Sequence, residues 1–293
     1  MQKEKTEGCS VENKLDSIFY NFDLLIFKFF GGLQNGFLTG VAKFFTSFGD
    51  ENFIIPMFVF GLVLCFFKKS RKYGFSIIFA IIIGTLLTNV IFKPMVLRIR
   101  PYNTLQGVSD YMLWYEAAGR LSESDYSFPS GHTTGVFEIT TALAICFSKD
   151  KKKVFATILP IIAVCTMSSR IYLMVHYPTD VLGGMLIGIF AGVIGYLISN
   201  ALCKIKALDK VDAQKLFKKA NAKTGTVAIV ITVIAIFCMA YIPAINEGNA
   251  QTCAYNEEYD CLNAARVDDE KYPAINGKEY CKIHWKQLSG ESK

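Results

Sequence analysis

Apolar residues in this chain gather in long blocks instead of alternating or marking one face of a soluble helix. Six blocks stand out, at 53–67, 74–92, 133–148, 154–168, 181–203 and 226–245. A helix needs about 20 residues to cross the hydrocarbon layer, so the shorter blocks predict spans completed by their polar flanks. Ahead of them, Leu15, Ile18, Phe22, Leu25, Phe29 and Leu33 recur at helical spacing. They predict an aromatic-rich helix, and two placements stay open for it: along the outer interface, or packed on the bundle. Asp16 and Asp23 interrupt that stretch, so it does not read as a secretory leader. The pattern divides the chain into an N-terminal amphipathic segment (1–52), a membrane domain (53–245) and a polar tail (246–293). The expected fold class is all-α, a polytopic membrane protein.

Composition agrees with this reading. Of 293 residues, 52% are hydrophobic and 19% charged, with mean hydropathy +0.32, against about 45–50% and about 25% for soluble domains. The net charge of +6 does not indicate nucleic acid, because the lysines cluster beside apolar blocks and not along one face. Lys68, Lys69, Arg71 and Lys72 follow the first block, Lys149 and Lys151–Lys153 the third, and seven lysines between 204 and 223 the fifth. Basic connections remain cytoplasmic, so the alternate connections and both termini are expected outside. The 204–223 segment reads as a positive-inside linker.

The cysteines divide by side. Cys65, Cys146, Cys165, Cys203 and Cys238 fall in or beside membrane blocks, where packed reduced thiols are expected. Cys9, Cys253, Cys261 and Cys281 fall on the outer side and can form two disulfides in three connectivities. At least one bridge within the short polar tail is the favoured expectation. A zinc site built from Cys253, Cys261, Cys281 and His284 competes with it. It is disfavoured because the tail lacks the paired C-x₂-C spacing of common zinc modules.

Candidate chemistry collects in the two outer connections. Lys93, Arg98, Arg100 and Pro101 open the first, which closes with Pro129-Ser130-Gly131-His132 at the start of the third block. Ser169-Arg170 and His176 through Asp180 lie before the fifth. Arg and Lys neutralise phosphate oxygens, and a planar guanidinium holds two at once. Ser130 and Gly131 precede a helix N-terminus, where unpaired N–H groups and the helix dipole favour an anion. His176 with Asp180 has the form of a nucleophile oriented by a carboxylate, leaving His132 to protonate a leaving oxygen. Cys165 and Arg170 do not make the C-x₅-R loop of tyrosine phosphatases, being one residue too close.

In order, Lys-x₆-Arg-Pro (93–101), Pro-Ser-Gly-His (129–132) and Ser-Arg-x₅-His-x₃-Asp (169–180) resemble the three signature motifs of the type-2 phosphatidic acid phosphatase superfamily. That family holds membrane lipid phosphatases, including undecaprenyl-diphosphate phosphatases, and also soluble acid phosphatases and vanadium-dependent haloperoxidases. The resemblance covers about residues 53–203. It implies a six-helix membrane bundle with its pocket at the outer leaflet. It also implies a phosphohistidine on His176, oriented by Asp180, with His132 as general acid. Lys93, Arg100, Ser130, Gly131 and Arg170 would stabilise the transferring phosphoryl group. No metal or cofactor is implied for this chemistry, and the chain has no H-E-x-x-H motif.

The expected activity is hydrolysis of a lipid phosphate or diphosphate, with membrane lipids as surroundings. A polyprenyl diphosphate leads, ahead of phosphatidic acid and phosphatidylglycerol phosphate. A lipid phosphotransferase and a non-catalytic lipid-phosphate binder are the readings of other classes. Glu138, an acid inside the third block, is a candidate pocket residue, with a structural bond to a neighbouring helix as the alternative.

Overall fold

The apolar blocks become long helices whose polar ends carry the functional residues. The structure is a computed structural model and describes residues 13–210, 212–213, 222–246, 251–256, 260–267 and 269–290. Cys9 and parts of the 204–223 connection and of the tail lie outside these residues. The described residues form helices and two isolated β-bridges, Thr252 with Ala264 and Ile275 with Lys278.

Helices α1 (Lys14–Gly31) and α2 (Gly36–Thr46) precede α3 (Glu51–Cys65) and α4 (Arg71–Thr85). A π-helical turn at Leu86–Phe92 extends α4 into α5 (Lys93–Val96), so one rod carries Lys93 at its far end. Short helices α6 (Pro101–Thr104) and α7 (Ser109–Ala117) follow and pack on each other, α7 also on α1. Then come α8 (Gly131–Lys149), α9 (Lys153–Tyr172), α10 (Pro178–Leu202), α11 (Ala222–Asn246) and, in the tail, α12 (Lys282–Ser289).

Among the described residues, five segments are long and apolar enough to cross a membrane: Gly36–Cys65, Arg71–Thr104, Lys153–Tyr172, Pro178–Leu202 and Gly225–Pro243. The first begins well before the block expected at 53. Asp50, extended after the 3-10 turn at Ser47–Gly49, leaves the helical path and caps α3, which itself starts at Glu51, two residues before that block. The third expected block, now α8, is absent from these five because it is the centre of the bundle. It packs against α4, α9 and α10 and buries Thr133, Thr134, Glu138 and Thr140 beside its apolar residues. A helix shielded from lipid can carry polar side chains that a lipid-facing helix excludes.

Close approach of α10 to α8 depends on glycine. A Cβ at Gly188 would lie 2.6 Å from the Phe137 Cβ and 2.7 Å from the Thr134 carbonyl oxygen, and one at Gly192 2.7 Å from the Glu138 carbonyl oxygen. Small residues one turn apart let backbones meet, and the dispersion contacts so gained replace the hydrophobic drive that lipid does not supply.

Helix α1 packs on the bundle. The apolar stripe is exposed: Ile18, Leu25 and Phe29 are each more than 60% accessible. The opposite face, with Asp23 and Phe27, is buried against α7, α9 and α10. The helix thus packs on the bundle through a face that joins Asp23 to Phe27, with Ile26 and Phe30 beside it, and presents Ile18, Leu25 and Phe29 outward.

The basic connections meet at one end. Lys72 pairs with Asp150 at 2.6 Å, Arg71 donates to the Leu208 carbonyl at 2.7 Å, and Ser199 donates to the Lys72 carbonyl at 2.7 Å. Lys93, His132 and His176 lie at the other ends of the same helices.

The glycine contacts generate a test. Gly188→Val is expected to destabilise the detergent-solubilised protein by about 1–3 kcal/mol through overpacking. Leu186→Ala, at a 65% exposed position on the same helix, should change stability by less than about 0.5 kcal/mol. Equal thermal shifts for the two would contradict the close packing.

Candidate active site

Helix ends and the loops between them build the site. Helix α8 starts at Gly131, and Ser130 caps it, its hydroxyl oxygen accepting from the Thr133 N–H at 3.4 Å. His132 thereby stands on the first turn, with Nε2 3.6 Å from an Asp50 carboxylate oxygen. Helix α9 ends at Tyr172, and the turn after it carries His176 to the start of α10. There Pro178 takes the first helical position and Asp180 accepts from the Tyr177 N–H at 3.0 Å, closing a capping box.

His176 is buried, with Nε2 3.0 Å from Arg100 Nη1. Its Nδ1 lies 3.5 Å from Asp180 Oδ2 and 3.4 Å from Ser127 Oγ, and the Ser127 hydroxyl donates to that same Oδ2. Burial, then Arg100 and Arg170, hold the pKa of His176 well below the usual histidine value. The imidazole is therefore neutral at pH 7 and has a lone pair for attack, the state a nucleophile needs.

Behind His176 sits a hub absent from the sequence reading. Arg98 is fully buried and binds Asp16 at 2.8 Å, Asp23 at 2.9 Å and Asp180 at 2.7 Å, its guanidinium 3.6 Å from the centre of the Tyr177 ring. Asp23 also accepts from the Thr179 N–H and hydroxyl, both at 2.9 Å. The N-terminal helix is thus part of the support for Asp180. Asp16 and Asp23 gave no such signal, because their partner lies some eighty positions downstream.

A cavity of about 1000 Å³ opens in front of these groups. Lys93, Arg100, Gly131, His132 and His176 line its polar end, and Ile54, Ile55, Phe58 and Ile81 its apolar flank. Glu138 lines it too. Its carboxylate points at Gly84, where a Cβ would fall within 1.5 Å of Oε2, and that oxygen has no hydrogen-bond partner. Of the residues expected from sequence, Ser130, Arg170 and Asp180 stand behind the lining, all three buried. Arg170 bonds Thr46 Oγ1 at 2.8 Å and pairs with Glu123 at 2.5 Å.

Two acids missed in the sequence complete the site. Asp125 pairs with both Lys93 and Arg100, and Glu123 with Arg170. Burial opposes the charge of each. Lys93 and Arg100 nevertheless hold Asp125 well below the carboxylate range, and Arg170 and Arg100 hold Glu123 at about 2. These carboxylates take the cationic groups that an incoming phosphate would need. The one local sign of them was an acid at alternate positions just before Pro129-Ser130-Gly131-His132.

With this geometry in place, comparison with known proteins is informative. Residues 71–203 match the PAP2 superfamily. An undecaprenyl-diphosphatase of Sulfolobus acidocaldarius is 32% identical over 57% of this chain and 73% of its own length. The chain belongs to the PAP2 superfamily. A second PAP2 relative, phosphatidylglycerophosphatase B of Bacillus subtilis, is 30% identical over 53% of this chain and 70% of its own. A lipid A 4'-phosphatase of Bacteroides thetaiotaomicron is 27% identical over 62% and 79%. The crystal structure of a transmembrane PAP2-type phosphatidylglycerolphosphate phosphatase from Bacillus subtilis superposes with TM-score 0.53 at 26% identity, covering 64% of this chain and 90% of that one. The PAP2 match ends at residue 203 and leaves the tail unaccounted for.

The paired acids make a prediction. Asp125→Asn removes the charge that engages Lys93 and Arg100, so inorganic phosphate should bind roughly tenfold tighter, about 1.4 kcal/mol. Isothermal titration of wild type and variant measures this. Weaker binding in the variant would mean that Asp125 positions the cations instead of competing for them.

Proposed function

We propose that this chain is an integral-membrane phosphatase that hydrolyses a lipid phosphate or diphosphate through a phosphohistidine, with a polyprenyl diphosphate as the leading substrate. One observation carries the reading: two histidines, Lys93 and Arg100 share one cavity with an apolar flank. A phosphoryl group fits the polar end and a lipid chain the other. Relatives named as undecaprenyl-diphosphatases and phosphatidylglycerophosphatase B support the substrate class.

In this reading His176 Nε2 attacks phosphorus while Asp180, held by Arg98, Ser127 and the Tyr177 N–H, keeps Nδ1 protonated. The bond from phosphorus to the leaving oxygen breaks, and His132 gives that oxygen its proton. Neutral His132 then takes a proton from water, whose oxygen attacks the phosphohistidine and returns His176 to its starting state. Lys93, Arg100 and the Gly131 N–H stabilise charge on the equatorial oxygens. Arg170 and Ser130 act from behind, Arg170 by holding Glu123 and Ser130 by fixing the start of α8. Glu138 lies at the inner part of the cavity, where its carboxyl contacts the bound lipid close to the phosphate. The chemical step draws its positive charge from side chains and so needs no metal. The site faces away from the cytoplasm, because the basic connections gather at the opposite end.

Phosphate release from a polyprenyl diphosphate, phosphatidic acid and phosphatidylglycerol phosphate tests this, with kcat/KM ranking the substrates. His176→Ala should lower release by more than 10³-fold, and acid-labile phosphate trapped on wild-type protein should map to His176. Release persisting in His176→Ala would overturn the mechanism. No release from any lipid by folded wild type would overturn the function.

The pH profile is a second test. A depressed pKa keeps His176 neutral until the pH falls below it, so on the acid side its attack is lost only there. With the substrate's own ionisation divided out, the acid limb of kcat/KM should lie below the ordinary value of 6.5. A limb at or above 6.5 would contradict the burial argument.

A further inference from the structure

We propose that Cys253, Cys261, Cys281 and His284 bind one Zn²⁺ in a tetrahedral S₃N site, and that the ion clamps the tail over the mouth of the cavity. The site stands on tail geometry alone and does not depend on the phosphatase reading.

The four side chains come from three separate parts of the tail, yet their ligand atoms all lie within 4.8 Å of one another. His284 Nδ1 is 3.4 Å from Cys253 Sγ and 3.3 Å from Cys281 Sγ. A tetrahedral ion with Zn–S of about 2.3 Å and Zn–N of about 2.0–2.1 Å sets S···N edges of about 3.5 Å and S···S edges of about 3.8 Å. The observed cluster has that size. All four residues are buried, at 6%, 3%, 0% and 2% exposure in chain order.

The bridge expected from the sequence is not present: the three tail cysteines are free thiols. A disulfide would join two sulfurs and leave the third thiol and His284 buried together without a purpose. A zinc ion uses all four. The surroundings also suit thiolates. The Cys281 N–H donates to Cys253 Sγ at 3.3 Å and the Asn263 amide to Cys281 Sγ at 3.5 Å. Such donors offset the excess negative charge of three thiolates around one divalent ion. Tyr255 stacks on the His284 ring at 3.8 Å and 3°, fixing its plane. Three soft thiolates in a closed set favour zinc over harder cations. With four protein ligands no position remains for substrate, so the ion is structural.

The tail needs such a staple. Within it the described residues hold two isolated bridges and one eight-residue helix, and chains of about 40 residues rarely fold without a metal or disulfide. The ion also reaches the cavity mechanically. The Asn263 side-chain oxygen accepts from Tyr102 at 3.0 Å and Asn103 at 2.9 Å, while the Ala264 and Lys282 N–H groups donate to the Glu123 and Ser124 carbonyls at 3.1 Å. Lys282, Ile283 and Lys286 on α12 line the cavity itself. One metal thus holds both a wall of the cavity and the segment that carries Glu123 and Asp125.

Elemental analysis by plasma mass spectrometry of the full chain, purified in detergent without chelator, should find roughly one zinc per chain. Cys261→Ser should lower that at least tenfold. As a measurement independent of variant folding, Co²⁺-exchanged wild type should show the intense visible bands and thiolate charge transfer of tetrahedral cobalt. Chelation should expose the tail to limited proteolysis while α8–α10 stay protected. Wild type that lacks metal and yields a tail Cys–Cys peptide on non-reducing mapping would overturn the proposal. So would a Cys261→Ser variant that keeps its zinc, or a cobalt spectrum of octahedral oxygen ligation.

Discussion

The guanidinium of Arg98 is the constraint on which the rest of the site depends. An arginine cannot shed its charge on burial, so a fully buried one must be surrounded by carboxylates and hydrogen-bond acceptors. Here those come from three places: Asp16 and Asp23 on α1, Asp180 on α10, and the Thr179 hydroxyl beside it. The arginine in turn sits just past the rod formed by α4 and α5. Three segments far apart in sequence are therefore locked at one point, and that point lies directly behind His176. Removing Arg98 itself would leave Asp23 and Asp180 buried without that counter-charge, which is far costlier than the net worth of the pairs.

The same logic explains why α1 turns its two carboxylates inward. In water, a helix with an apolar stripe hides the stripe; beside lipid, the stripe is the side that can be exposed and the carboxylates are the side that cannot. The bundle follows this rule throughout. Helix α8 carries hydroxyls and Glu138 because other helices cover it, whereas α11 and the outer faces of α9 and α10 are apolar and open. Glycines on α10 allow the covering helices to approach so closely that α8 has little contact with anything but protein and the cavity.

At the cavity, positive and negative groups are matched before any substrate arrives. Lys93, Arg100 and Arg170 are engaged by Asp125 and Glu123, carboxylates from a loop that the tail grips through Ala264 and Lys282. Substrate phosphate would have to replace these contacts or join them. The tail, the cavity wall and the acids form one mechanical unit, so the stability of the tail bears on the electrostatics of the site.

Local pattern alone specified the helical class, the positions of most spans and the residues of the three motifs. These depend on transfer of apolar side chains out of water and on chemistry encoded within a few neighbouring positions. The first block begins at 53 and α3 starts at Glu51, because extended Asp50 ends the preceding turn and caps a new helix there. Spacing gave no notice of Arg98 with Asp16 and Asp23 or of Asp125 over Lys93 and Arg100, and it counted against the cluster of three cysteines and His284, the reading that competed with a tail disulfide. Each joins residues that are unremarkable in their own surroundings and become partners only when folding removes the water between them. The sequence by itself therefore named the side chains expected to bind a phosphoryl group. Tertiary structure decided which of them face the cavity, which stand behind it and which acids compete for them, because those are questions of distance across the chain.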